Sequence, residues 1–345
     1  MTFRSDLIKP GHNYASLLWT DPPIVLGWTG RLFRFGSATA LAPLFPKTRI
    51  TFLLIAKGSV ADDDEARELA NDAHRFMQEH PHHRFEWITN IDGETENLRQ
   101  LGLSAHTHNQ NIFIRDDVFR PLDAQTRPYH AIYNGRISPE KRNELAADIP
   151  SVAFITYRDP GEHSVDTYHQ ACRELLERVP GGHLLNEMND TGSKRLAPSE
   201  VNEAYACADV GLCLSPREGA MRVAVEYQMA GLPIVATPCR GGRDHYMDPV
   251  TWDVVAPDAA SIAEAVSRMR SRRLPRFMVR ARIMDLIARD RRKFVEFVQS
   301  VIGDAGGSGN FAPQFERYLR ADLFERWLSM REFGEEVWTR LASRT

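Results

Sequence analysis

Two glutamates carry the first chemical hint in this sequence. Glu218 opens and Glu226 lies inside the stretch EGAMRVAVEYQMAGLP, which follows the apolar run DVGLCLSPR. A strand that feeds a helix here sets the first helical amides, orphan donors at the positive end of the macrodipole, against any anion brought to the turn. Gly219 lets the backbone approach such a ligand closely. Glu226, two turns into the helix, has a carboxylate that can accept two hydrogen bonds from a vicinal diol such as a ribose. The competing structural reading is a plain strand-helix unit, with Glu218 as a dipole partner and Glu226 on a solvated face.

A second constellation is cationic. GRISPEK, from Gly135 to Lys141, follows the apolar run AIYNG and places Arg136 and Lys141 on a short loop. Alone it is a charged turn. Together, the two stretches resemble the signature of the retaining glycosyltransferases of the large family four, which have the two-domain B-type (GT-B) fold: Glu218, seven residues, Glu226, then AGLPIVATPCRGG, with the Gly-Arg, short loop, Lys element upstream. The resemblance covers about 130 to 256. It implies that Arg136 and Lys141 hold a donor diphosphate, Glu226 binds the nucleotide ribose and Glu218 contacts the transferred sugar. The amides of Gly219, Ala220 and Met221 would complete the phosphate site. Asn186 and Glu187, ending the run HLLNE, fall at the sheet edge where the base would lie.

Other candidates have plainer roles beside the chemical ones. Asp62, Asp63 and Asp64 are the one Asp-x-Asp element that would suit a diphosphate-bound metal, but they also open an amphipathic helix, where acids are common caps. With Arg136 and Lys141 as counter-charges, neither a metal nor any other cofactor is expected. His106 and His108, in SAHTHNQN, precede an apolar run; if one histidine reaches the reacting sugar, His108 is favoured. His80, His82 and His83 close a helix without a carboxylate or cysteine at ligand spacing and read as solvated. Gly241, Gly242, Arg243 and Asp244 follow the run PIVAT, either as a plain turn or as a close backbone approach to phosphate or sugar.

The elements that must position these residues follow from periodicity. PPIVLGW, ITFLLIA, FEWIT and NIFI read as buried strands, and an amphipathic helix over 62–80 lies among them. A Pro-containing charged stretch, 116–130, suggests a linker. A second alternation has strands at 131–135, 152–157, 183–187, 209–215, 233–237 and 252–256. Alternating strand and helix argues for parallel sheets covered on both faces. The expected architecture is α/β, two Rossmann-like domains facing across a cleft with C-terminal helices. Its parts are a short acceptor-side domain over 1–120, a donor domain over 121–305, and a helical segment over 306–345 that packs back on the first domain. GDAGGSGN, at 303–310, reads as a flexible hinge by composition.

Composition narrows the partners. The 345 residues carry a formal charge of −3, which argues against nucleic acid. Four cysteines without CxxC pairing read as reduced thiols. A start without a basic-apolar leader, and no run long enough for a span, suggest a cytoplasmic protein. The basic helical stretch 268–293 leaves peripheral contact with the inner membrane face as a minor expectation.

The expected activity is metal-independent, retaining transfer of a hexose from a nucleoside-diphosphate sugar to an acceptor hydroxyl by a front-face route. Alternatives are a nucleotide-sugar epimerase or phosphorylase on the same fold, and a non-catalytic sugar-nucleotide or glycan-binding protein, which the short first domain favours. Base, sugar, acceptor and oligomeric state are not encoded legibly.

Overall fold

A computed structural model describes residues 3–8, 10–30, 33–56, 60, 62–123, 126–158 and 163–342. Along the chain the elements are β1 (His12–Thr20), β2 (Pro23–Trp28), α1 (Ser37–Leu41), β3 (Thr51–Ile55), α2 (Asp63–Glu79), β4 (Arg84–Thr89), α3 (Asp92–Gln100) and β5 (Ala105–Thr107). There follow β6 (Tyr129–Asn134), β7 (Val152–Ile155), α4 (Val165–Arg178), β8 (Gly182–Leu184), β9 (Met188–Asn189), β10 (Gly192–Ser193), α5 (Pro198–Ala206) and β11 (Ala208–Cys213). The remainder comprises β12 (Arg217–Glu218), α6 (Arg222–Met229), β13 (Ile234–Ala236), β14 (Arg240–Gly241), β15 (Trp252–Val254), α7 (Ala259–Ser271), α8 (Arg276–Asp304), α9 (Ala312–Arg320), β16 (Trp327–Ser329) and α10 (Met330–Ala342).

The chain forms two compact units: Met1–Arg115 with Ala288–Thr345, and Asp116–Ile287. Residues 288–305, grouped with the donor domain on composition, belong to the first unit. The reason is packing: Phe294, Val298, Val301 and Ile302 on α8 are fully buried among Leu18, Leu26, Leu53 and Ile88 of the first sheet. Each such side chain contributes about 1.5–3 kcal/mol by leaving water.

In the first unit the strand order is β16-β1-β2-β3-β4-β5, with β2 to β5 parallel and β1 antiparallel to both neighbours. Helices α1, α2 and α10 contribute to the core on one face, and α8 and α9 to the core on the other. The run NIFI is not a strand. It lies in a 3-10 turn over Gln110–Phe113, started by the Asn109 side chain accepting from the Asn111 amide at 3.0 Å. The pairing strand is the preceding β5.

The second unit has an entirely parallel sheet ordered β15-β13-β11-β6-β7-β8. Its direction of winding reverses between β6 and β11. In an open α/β sheet the crevice outside the carboxyl ends of the strands at such a reversal is where ligands bind. Both motifs leave the sheet there: Gly135 follows β6, and the Glu218 loop follows β11.

Candidate functional site

Lys141 and Glu218 meet at this reversal. The Lys141 ammonium donates to a Glu218 carboxylate oxygen, and both side chains are largely buried, 17% and 14% exposed. The lysine is held by its own turn, since its amide donates to the Ser138 carbonyl at 2.9 Å and its carbonyl accepts from the Tyr133 hydroxyl at 2.7 Å. Tyr133 is itself fully buried, and burial pushes its phenol far up. Arg136 stands half-buried on the same loop, one residue past Gly135.

The Glu218 loop is braced from two sides. Residues 217–218 pair in parallel with 240–241, so the loops after β11 and β13 are zipped together. Beneath them lies Arg243, 1% exposed, which donates to the carbonyls of Cys213 at 3.0 Å, Ser215 at 3.3 Å and Thr237 at 2.6 Å. Its Nε donates to Asp244 at 2.6 Å. Burial works against the charge, but the Asp244 bond overrides it and holds the guanidinium pKa above its ordinary value. Arg243 therefore belongs to the support of the site. Sequence reasoning read Gly241 to Asp244 as a plain turn or as a backbone approach to phosphate or sugar, and nothing in the local pattern marks an arginine as buried.

Helix α6 begins at Arg222, not at the glycine. Met221 precedes it in the left-handed region, φ 40°, a conformation that costs a non-glycine residue about 1 kcal/mol. The amides of Gly219, Ala220 and Met221 thus lie in the turn ahead of the helix. The far end closes on Gly231, with bonds from the Gly231 amide to the Gln228 carbonyl and from Leu232 to Tyr227.

Glu226 is not on a solvated face; it is 6% exposed. One carboxylate oxygen accepts from Arg222 Nε at 2.9 Å, an i,i+4 pair, and the other from the Tyr205 hydroxyl at 3.0 Å. Tyr205 in turn accepts from the Asn134 side-chain amide at 2.7 Å. Next to it, the Tyr227 hydroxyl accepts from the Asn134 backbone amide at 2.7 Å and donates to the Ile132 carbonyl at 3.2 Å. The Tyr227 ring can lie against β11 because residue 211 is glycine; a Cβ there would fall 2.3 Å from the ring. Asn134, Tyr205 and Arg222 were missed from the sequence, although the spacing of Arg222 to Glu226 was a usable signal.

The other candidates stand elsewhere. Asn186 is buried, and its amide is engaged with the backbone: Oδ1 accepts from Thr156 at 3.1 Å, and Nδ2 donates to the carbonyls of Thr156 and Lys194. Glu187 is exposed. In the first unit, His108 is 9% exposed, packed against Phe294 and Phe297, and burial lowers its pKa to about 4. His106 bonds Glu86 at 2.8 Å. His83 is not solvated: Nδ1 accepts from the Ile50 amide at 3.1 Å, Nε2 lies 3.2 Å from the Ala42 carbonyl, and burial lowers its pKa to about 4. Asp62 caps α2 by accepting from the Asp64 amide at 3.0 Å, and Asp64 pairs with Arg67. The Asp63 side chain lies outside the described residues. Among those residues, no group of three or more histidine, cysteine, aspartate or glutamate side chains is arranged to hold a metal ion.

Residues 161–272 match the family model described as Glycosyl transferases group 1. The matched segment lies within the second unit. Glu218 and Glu226 lie inside the matched segment, whereas Lys141 lies before it and joins it through its ion pair. No curated protein matches the chain. Its fold is similar to that of Anabaena Alr3699/HepE in complex with UDP (14% identity, 75% of this chain and 80% of that chain, TM-score 0.53). It is also similar to sucrose-phosphate synthase from Thermosynechococcus elongatus (14%, 78% and 79%, 0.53) and to an alpha,alpha-trehalose-phosphate synthase (UDP-forming) from Burkholderia vietnamiensis (14%, 76% and 70%, 0.51). At these identities the likeness establishes the fold, which is the B-type glycosyltransferase fold. No helix among the described residues is long and apolar enough to cross a membrane.

Proposed function

We propose that this glycosyltransferase moves a hexose from a nucleoside-diphosphate sugar to an acceptor hydroxyl, with retention and without a metal. The observation that carries the reading is the Lys141–Glu218 ion pair at the sheet reversal, with the buried Glu226 on the helix that follows the Glu218 loop, inside and beside a segment that matches the Glycosyl transferases group 1 model. That a protein of similar fold is found in complex with UDP supports a nucleotide donor.

In this reading Lys141 and Arg136 neutralise the diphosphate, and the amides of Gly219, Ala220 and Met221 add donors at the turn. A carboxylate offers about four lone-pair sites, so Glu226 retains acceptor capacity for the ribose hydroxyls beside Arg222 and Tyr205. Glu218 faces the transferred sugar once the lysine turns to phosphate. The bond between the anomeric carbon and the phosphate oxygen breaks, and the acceptor oxygen bonds that carbon on the same face. The acceptor proton passes to the departing phosphate oxygen. Fixed cations stabilise the charge that develops on the leaving group, and metal independence rests on this supply.

A thermal-shift series with UDP, GDP, ADP and dTDP, with and without EDTA, on wild type and Arg136→Ala, tests it. A ligand that binds only the folded state raises the melting temperature by mass action. One nucleotide should stabilise the wild type, be indifferent to EDTA and fail on the variant. No stabilisation by any of them would remove the donor assignment, and loss with EDTA would remove metal independence.

A further inference from the structure

Strand β1 runs to Thr20, but its outer neighbour β16 pairs only with His12, Asn13 and Tyr14. Beyond that pairing, the outer edge of β1 borders a recess of about 390 Å³ in the first unit. The recess falls within the range of small-molecule sites, about 300–1,000 Å³. Leu17 to Asp21 form its floor, Gln314 and Arg317 come from α9, Arg340 from α10, and Ser308 from the glycine-rich run. It lies at the amino-terminal end of β2, the opposite end of the sheet from Trp28, and shares no residue with the Lys141 and Glu218 loops.

The wall made by the glycine-rich run is built, and is not a hinge. A Cβ on Gly307 would fall 2.3 Å from Pro22, and one on Gly309, at φ +109°, would fall 2.8 Å from the Trp19 ring. The two glycines press the run against the β1–β2 turn, with Ser308 between them on the recess. Gln299 of α8 pins the run from behind: its Nε2 donates to the Gly309 carbonyl at 3.0 Å, and its Oε1 accepts from the Phe311 amide at 2.9 Å. The indole is fixed as well. Trp19 Nε1 donates to the Asp21 carbonyl at 2.9 Å, and its ring meets Phe311 edge-on.

The lining combines an indole, two hydroxyls, a primary amide and a carboxylate with two guanidinium groups. Indole and mixed donors and acceptors suit a polyhydroxylated ring. Guanidinium groups suit a planar carboxylate or a phosphate. Arg317 lies 5.8 Å from the Tyr318 ring centroid and has no carboxylate partner among the described residues. Arg340 pairs with Glu336, which Arg326 also engages.

We propose that this recess is a second saccharide site, which takes a sugar bearing a carboxylate or a phosphate. It does not depend on the donor assignment. The test is calorimetric titration of the full chain with glucuronate, glucose 6-phosphate, glucose and inorganic phosphate, on wild type, Arg317→Ala, Arg317→Lys and Lys141→Ala. Arg317 is exposed, so its variants should keep the wild-type melting temperature. An anionic sugar should bind more tightly than glucose or phosphate, weaken about tenfold or more in Arg317→Ala, recover in part in Arg317→Lys and stay unchanged in Lys141→Ala. Whether glucuronate or glucose 6-phosphate binds identifies the anionic group. The proposal is overturned if none of the four binds, if glucose matches the anionic sugars, or if Arg317→Ala has no effect. Binding lost only in Lys141→Ala would place the sugar at the donor loops, overturning this site while leaving the transferase reading intact.

Discussion

Lys141 and Glu218 neutralise each other across the reversal of the second sheet, so the cation assigned to the donor phosphate and the carboxylate assigned to the sugar are already in contact. A diphosphate must compete for the lysine. Glu218→Gln removes the competing charge, and a partly exposed pair of this kind is worth about 1 kcal/mol, so nucleoside diphosphate should bind about five-fold more tightly. Turnover should fall at the same time. Titration with the nucleotide identified by thermal shift, beside a rate assay, checks both; weaker binding in Glu218→Gln would contradict the competition.

The Tyr205–Glu226 contact predicts a ribose-specific effect. Glu226→Gln keeps the shape but loses charge-assisted acceptance, so affinity for the nucleotide should drop while that for its 2′,3′-dideoxy analogue stays level. Equal losses would assign Glu226 to packing. Tyr205→Phe strands the Asn134 amide and one Glu226 oxygen, and unfolding in urea should show a loss of about 1–3 kcal/mol.

Arg243 should matter more for stability than any residue of the loops it supports. Arg243→Ala would leave three carbonyls without their donor, at about 1–3 kcal/mol for each that stays buried and unsatisfied, and would leave the partly exposed Asp244 without its partner. Arg243→Lys keeps the charge and loses the fork, and should be intermediate. A melting temperature unchanged in Arg243→Ala would refute the brace.

Stability should fall on acidification through His108. Its folded pKa, about 4, lies below the ordinary 6.5, so the unfolded chain binds more protons in between. The contribution is complete above pH 6.5, is lost as pH falls from 6.5 to 4, and amounts to about 3 kcal/mol at most. His106 and Lys293 add to the depression and Asp290 opposes it. His83, also depressed to about 4, contributes over the same window, so His108→Leu should reduce the fall and leave the His83 share, measured by denaturant unfolding at pH 7, 5.5 and 4.5.

What could be read from sequence was what periodicity and chain-local chemistry encode. The strands of the second sheet came out within a few residues, because each is a short apolar run bounded by turn residues. The Glu218 and Lys141 loops were legible as motifs, but their meeting was not, since it depends on β6 and β11 becoming neighbours. NIFI misled because an Asn cap turned an apolar run into a 3-10 turn. His83 looked solvated because its partners, Ile50 and Ala42, lie more than thirty residues away. GDAGGSGN looked loose because composition cannot distinguish glycine that permits motion from glycine that permits contact, as Gly307 and Gly309 do.

The division of the chain has a consequence for biosynthesis. Residues 116–287 form one unit without interruption, whereas the first unit needs β16 and the Phe333 and Val337 side chains of α10 to close over β1. A chain emerging from the ribosome can complete the second unit first. Of the two units, the one begun first is the last to gather its full set of partners.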